Sequence, residues 1–316
     1  IEPRWLRFLC LSLVVVRCQP LRRALCAKEK FMSDYKNPVE ELVHSTLRIE
    51  CETPSGVSSG SGYFYAFLEN DDGSHVPCVV TNKHVIQGAI KGKFFLSVKD
   101  KAGNPDLGKH FPVVFDNFEA MWIGHPDVNV DLAVFPLGPI FHQAEAQGIN
   151  LHYAMLGKGV KANDDLLNAL PTMEDIIMIG YPNGIWDEKH NLPIIRKGIT
   201  ATHPRLPYNG KPEFMIDAAC FPGSSGSPVF LANIGSFVNK AGALCAGTRI
   251  SLLGTLYAGP QHTATGEVRV VNVPTVNKPI SISSIPNNLG LVIHANKLDD
   301  FEPILKEIVD KQQKGA

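Results

Sequence analysis

Short apolar segments, each about six residues long and bounded by turn residues, recur along this chain and limit its fold more than any other feature. They lie at 44–51, 62–68, 76–81, 94–98, 132–137, 176–180, 193–200, 227–231 and 252–258. Between them stand turn-forming runs, such as Asn-Asp-Asp-Gly at 70–73, Ala-Gly-Asn-Pro at 102–105 and Tyr-Asn-Gly at 208–210. Segments this short make poor helices, and glycine, asparagine and proline supply the backbone angles that reverse a strand. The pattern predicts an all-β chain. Two stretches depart from it: 163–170, read as a short connecting helix, and 298–311. The second carries apolar residues at 301, 304, 305, 308 and 309, which share one helical face. Its acids come first and its lysines last, as the helix dipole favours.

With 316 residues, 44% of them apolar, the chain can bury a large core in one large domain or two smaller ones. A net charge of −1 and the lack of a long basic run argue against bulk electrostatic binding of nucleic acid or anionic membranes.

One glycine-rich run carries chemistry. Residues 221–230 read Phe-Pro-Gly-Ser-Ser-Gly-Ser-Pro-Val-Phe and centre on Ser225. A serine hydroxyl is a weak nucleophile at neutral pH; it needs a base to take its proton and donors to hold the resulting oxyanion. Gly223 permits a turn that aims its own N–H and that of Ser225 at one point, and Gly226 is expected to leave room for a substrate. Taken alone, such a run is also an ordinary polar turn. Upstream segments supply the partners it needs. His84 closes an apolar run that begins at Val79, and Asp131 immediately precedes the apolar run 132–135. Asp127 is a competitor for the acid's role, but it abuts no strand and reads as a loop acid.

The order His84, Asp131, Ser225 is that of chymotrypsin-type enzymes. Residues 80–85 (Val-Thr-Asn-Lys-His-Val), 131–134 (Asp-Leu-Ala-Val), 216–228 and the Gly-Ser-Gly-Tyr-Phe run at 60–64 resemble motifs of the trypsin-like serine peptidases. The likeness is nearest to the bacterial HtrA-like and glutamyl-endopeptidase branches, without a PDZ domain, and spans about residues 40 to 260. It implies two six-stranded antiparallel β-barrels, about 40–140 and about 172–295, with the site between them and a C-terminal helix at about 298–311. It also implies a serine endopeptidase working through an acyl-enzyme. Ser225 would be the nucleophile, His84 the base and then acid, and Asp131 its orienting partner, with the backbone N–H groups of Gly223 and Ser225 as the oxyanion hole. Pocket residues carried over are Ala219, Tyr257, Ala258 and Gly259. Ala219 lacks the carboxylate that a basic preference wants, and Leu256 stands where glutamyl endopeptidases carry histidine, so small or medium apolar residues are expected. Asp217 matches a structural position. Ser224 stands where zymogen-activated relatives carry an acid, and no proteolytic switch is expected.

No cofactor or metal is expected; Cys78 and His84 have no second ligand pair at metal-binding spacing. The seven cysteines are read as mostly reduced, buried small hydrophobes. Residues 1–31 are read as an N-terminal extension and 32–315 as the peptidase domain. Within the extension, the apolar run 8–16 is too short to span a bilayer, and the basic residues after it do not suit a cleavage site. The chain is therefore expected to be cytoplasmic, with an export signal or anchor as the alternative. Its partners are expected to be protein or peptide substrates, without stable membrane insertion; oligomeric state is left open. Two other readings share the motifs: a silent or partner-activated peptide-binding module, and an esterase or acyl transferase on the same triad.

Overall fold

The computed structural model describes residues 37–259 and 288–315, together with the strands Val16–Arg17, Gln261–Ala264 and Ser283–Pro286. The expectations for residues 1–31, Cys10, Cys18 and Cys26 included, lie outside the described residues apart from Val16–Arg17, which pairs with Ser74 and His75. The chain is mostly β and folds as two halves. In the first, strands run in the spatial order Pro105–Asp116, Lys91–Lys99, Thr46–Thr53, Gly56–Phe67, Ser74–Thr81, Ala133–Pro136 and Ile123–Gly124. Val16–Arg17 and Leu151–His152 attach at its sides to complete a nine-stranded sheet. In the second, Asp175–Gly180, Ile194–Thr200, Glu213–Asp217, Leu289–His294, Arg249–Ala258 and Pro228–Asn233 close into a six-stranded antiparallel barrel. Among the described residues, the sheet path of the first half does not close on itself.

Strands also form outside the segments the sequence marks, Pro105–Asp116, Glu213–Asp217 and Leu289–His294 among them. Pro105–Asp116 lies at the sheet's edge, where its prolines and lysine are tolerated because one side of the backbone needs no partner. Glu213–Asp217 and Leu289–His294 are short and lack an alternating pattern that stands out from their surroundings.

The glycines of the first half have a packing purpose. A Cβ at Gly60 would stand 2.4 Å from Val85 Cγ1, and one at Gly62 would stand 2.9 Å from Val79 Cγ1. The bare backbone at Gly60 lets the helical turn Lys83–Ile86 settle on the sheet, and that at Gly62 makes room for Val79 and Ile49. Beneath it Phe94 meets Phe115, Phe118, Trp122 and Phe135 at ring separations of 5.5 to 6.2 Å, a tightly packed aromatic core.

A second core belongs to both halves. Tyr65, Phe67 and Leu132 from the first pack with Ile177, Phe230 and Leu252 from the barrel, and with Leu298, Phe301 and Leu305 from the C-terminal segment. Helix Glu302–Gly315 therefore docks across the junction, not on the barrel alone. It begins four residues later than its periodicity suggests. Residues Ala295–Phe301 form a 3-10 turn, and Pro303 fits only the first turn of an α-helix, where its missing N–H is not needed. Lys158 to Glu302 (3.0 Å) and Lys161 to Asp299 are ion pairs across the same junction. The connector Asp164–Ala169 is capped by Asn163 Oδ1, which accepts from Leu166 N–H at 2.9 Å.

Candidate active site

His84 sits in the turn that follows strand Ser74–Thr81, and Asp131 lies just before strand Ala133–Pro136. These strands are direct neighbours, so pairing of Val80 with Val134 and of Thr81 with Ala133 brings the two side chains together. His84 Nδ1 lies 2.5 Å from Asp131 Oδ2, and the His84 backbone N–H donates to Asp131 Oδ1 at 3.1 Å. Asn82 Nδ2 holds the Asp131 carbonyl oxygen at 2.7 Å. Burial works against ionisation of Asp131, but hydrogen bonds from the His84 ring and from the His84 and Lys83 N–H groups outweigh it. The carboxyl is held below its usual range. Asp127 is occupied elsewhere: its Oδ1 accepts from Asn129 N–H at 2.9 Å, as a loop acid does.

Ser225 comes from the other half. Two turns in succession present it. Ser224 N–H donates to Phe221 O at 3.0 Å across Pro222 and Gly223, and Ser227 N–H to Ser224 O at 3.0 Å across Ser225 and Gly226. Both glycines have positive φ, +81° and +85°, at the third position of their turns, where a type II turn requires it. The Ser225 hydroxyl is directed at the Tyr257 carbonyl oxygen, 3.3 Å away, and makes no hydrogen bond to His84 among the described residues.

The Gly223 and Ser225 N–H groups donate to no acceptor among the described residues, although the N–H groups of Ser224, Gly226 and Ser227 around them are all engaged. A second contact aims the first of these. Asn183 N–H donates to Pro222 O at 2.5 Å. In a trans peptide the C=O and N–H point opposite ways, so holding the Pro222 carbonyl turns the Gly223 N–H away from Asn183. Asn183 belongs to the loop 181–192, which is itself fastened to the first half. Trp186 lies 5.4 Å from the Phe95 ring and under the Arg48 guanidinium (5.3 Å), and Asn191 Nδ2 donates to Phe95 O at 3.2 Å.

Gly226 is not a space for substrate. A Cβ there would meet the Ser61 carbonyl oxygen at 1.9 Å and Thr81 Oγ1 at 2.5 Å, so its bareness allows the two halves to close on each other. Ser61, fully buried, is the joint. Its N–H donates to Ser225 O (2.9 Å), its hydroxyl to Gly223 O (2.9 Å), and the hydroxyl accepts from Tyr181 N–H (2.9 Å). In the sequence only the flanking glycines mark Ser61, and they do not show that its hydroxyl bridges the two halves. Among the expected pocket residues, Tyr257 offers its backbone carbonyl to Ser225 while its phenol donates to Glu213. Ala219 gives its carbonyl to Arg196 Nη1 at 2.7 Å, and Ala258 and Gly259 continue the same strand end. Cys51, Cys78 and Cys220 are buried free thiols. Burial pushes Cys220 up to about 11 against the pull of the nearby Arg196.

A family model described as the trypsin-like peptidase domain matches residues 60–238, more than half of the chain. The chain belongs to the trypsin-like peptidase family. The matched span of this trypsin-like peptidase runs from the Gly-Ser-Gly strand through the Ser225 turns. Among solved structures it is similar to a serine endoprotease from Yersinia pestis (15% identity, covering 89% of this chain and 68% of that one, TM-score 0.42). It is also similar to the active form of the Rv3671c protease from M. tuberculosis (16% identity, covering 90% and 87%, TM-score 0.41). A third is the HtrA-type protease AlgW with a tripeptide (17% identity, covering 86% and 62%, TM-score 0.42), so the chain spans less than two thirds of that protein. Likeness at this level carries no further argument about the site. No curated protein matches the chain.

Proposed function

We propose that this trypsin-like peptidase is a serine endopeptidase that hydrolyses peptide bonds through an acyl-enzyme. His84 Nε2 takes the Ser225 proton as Oγ attacks the substrate carbonyl carbon, and the carbonyl's electron pair moves onto its oxygen. The Gly223 and Ser225 N–H groups receive that oxyanion. Asp131, ionised and bound at Nδ1, fixes the tautomer that leaves Nε2 free to accept and stabilises the imidazolium. The imidazolium then protonates the leaving amine; next, water loses a proton to the same Nε2 as it attacks the acyl carbon, the carbon–Oγ bond breaks to free the acid, and Nε2 returns that proton to Ser225 Oγ.

The observation that carries the reading is the pair of unengaged N–H groups flanking a turn whose other amides are all bonded. Two unpaired backbone donors beside a part-exposed serine are available to a substrate oxygen. The experiment is a peptide-library digest by wild type and Ser225→Ala. Cleavage by the first and none by the second is expected, and equal product from both would contradict it. The Ser225 hydroxyl's bond to Tyr257 O favours a second reading, a peptide-binding module that stays silent until a partner reorients the serine. Binding of library peptides without cleavage would support that reading instead.

A further inference from the structure

Arg196 lies on strand Ile194–Thr200 opposite Met178, a fully buried barrel residue, and its side chain reaches the loop that leads into Ser225. Its Nη1 donates to Ala219 O at 2.7 Å and to Ser224 Oγ at 2.8 Å, which uses both hydrogens of that nitrogen. The Ser224 hydroxyl, buried, also accepts from Phe221 N–H at 3.3 Å. One guanidinium nitrogen therefore ties residue 219 to residue 224, with the Gly223 turn strung between them. Ser224 shares its C-terminal peptide bond with Ser225, so fixing Ser224 fixes the direction of the Ser225 N–H.

The same side chain does little for the fold. No carboxylate pairs with it among the described residues, and its buried Nε and Nη2 find no partner there. Burial pushes its pKa down to about 10, which leaves it charged at neutral pH. A desolvated cation without a counter-charge costs stability, and an apolar residue of similar volume is often neutral or better. Its favourable contacts are confined to the loop of the nucleophile.

We propose that Arg196 is a positioning residue for the oxyanion site, holding Ala219 O and Ser224 Oγ so that the Gly223 and Ser225 N–H groups stay free for substrate. This rests on the serine-peptidase reading above. Arg196 acts through Ser224. A lysine, a shorter-reaching point charge, reproduces the two-armed contact poorly.

Wild type, Arg196→Met, Arg196→Lys and Ser224→Ala are compared by three measurements. These are the urea midpoint, fluorophosphonate labelling together with kcat and KM on a cleaved peptide, and hydrogen–deuterium exchange of the amides of 217–228. Arg196→Met is expected to keep or raise the midpoint and to label roughly ten-fold more slowly. It should lose kcat while KM stays within about two-fold, and exchange faster in 217–228 alone. Arg196→Lys restores only part of the loss. Ser224→Ala shows part of it, and the double variant loses less than the two single losses combined, because the two share the Arg196–Ser224 contact. A folded Arg196→Met with wild-type labelling and exchange overturns the proposal. So does a selective loss of cleavage after Asp or Glu with labelling intact, which would make Arg196 a direct substrate contact. If Arg196→Met does not fold, wild-type labelling and exchange in both other variants overturn it. A wild type that never labels refutes the peptidase reading instead. Exchange then decides the Arg196 role by itself: a loosened 217–228 in Arg196→Met supports it and unchanged exchange overturns it.

Discussion

Gly226→Ala separates two accounts of why the nucleophile turn needs its second glycine. If that glycine leaves room for substrate, an added methyl group obstructs binding and spares the fold. The structure puts the methyl elsewhere, 1.9 Å from the Ser61 carbonyl oxygen. That oxygen belongs to the backbone of a central strand and cannot swing aside like the end of a flexible side chain. The backbone at Gly226 also has φ +85°, which an L side chain disfavours by about 1–2 kcal/mol. Overpacking adds about 1–3 kcal/mol. Parting the halves weakens the bond from Ser61 N–H to Ser225 O (2.9 Å), worth about 1 kcal/mol. These effects overlap, so the expected loss is about 3–5 kcal/mol. Urea unfolding followed by tryptophan fluorescence reads it as a lower midpoint. A variant with the wild-type midpoint whose sole defect is a raised KM would refute the packing argument and restore the substrate-room reading.

Ser61→Ala leaves the Gly223 carbonyl without its donor and the Tyr181 N–H without its acceptor. The loss is about 2–4 kcal/mol, seen as a fall of roughly 3–6 °C in thermal midpoint, and an unmoved midpoint contradicts it. His294, stacked 5.5 Å from the Phe214 ring, is pushed down to about 4 by burial and then by Lys297. Because the unfolded chain takes up that proton first, stability is whole above about pH 6.5 and declines as pH falls toward 4, by on the order of 2–3 kcal/mol. Urea midpoints across that range should fall less steeply in His294→Gln; identical slopes would remove His294 from the account. Trp186→Ala releases the loop that carries Asn183 and is expected to lower kcat about ten-fold with little change in KM. A change in KM alone contradicts the aiming of Gly223 through Pro222.

The runs that carry His84, Asp131 and Ser225 were visible because their residue types stand together in the chain. So were the turns at 70–73 and 102–105, where Gly73 and Gly103 adopt the positive φ their positions suggest. What escaped joins distant residues. Ser61 meets Gly223 across 162 positions, and its flanking glycines signal close packing without showing the partner of its hydroxyl. Arg196 reads as one more polar residue on a strand until the barrel closes and brings Ala219 and Ser224 to it. The C-terminal helix was visible from its period of apolar residues. Its docking place was not, since the core it covers forms only when both halves meet. Gly226 was noticed but misjudged, because a glycine near a nucleophile suggests space for a ligand as readily as close approach of backbone.

The central claim is that Ser225 is an activated nucleophile. Intact-mass spectrometry after treatment with a fluorophosphonate probe tests it most directly. Wild type should gain one adduct, mapped to Ser225, and Ser225→Ala should gain none. Folded wild type that stays unlabelled, or an adduct that persists in Ser225→Ala, would contradict it.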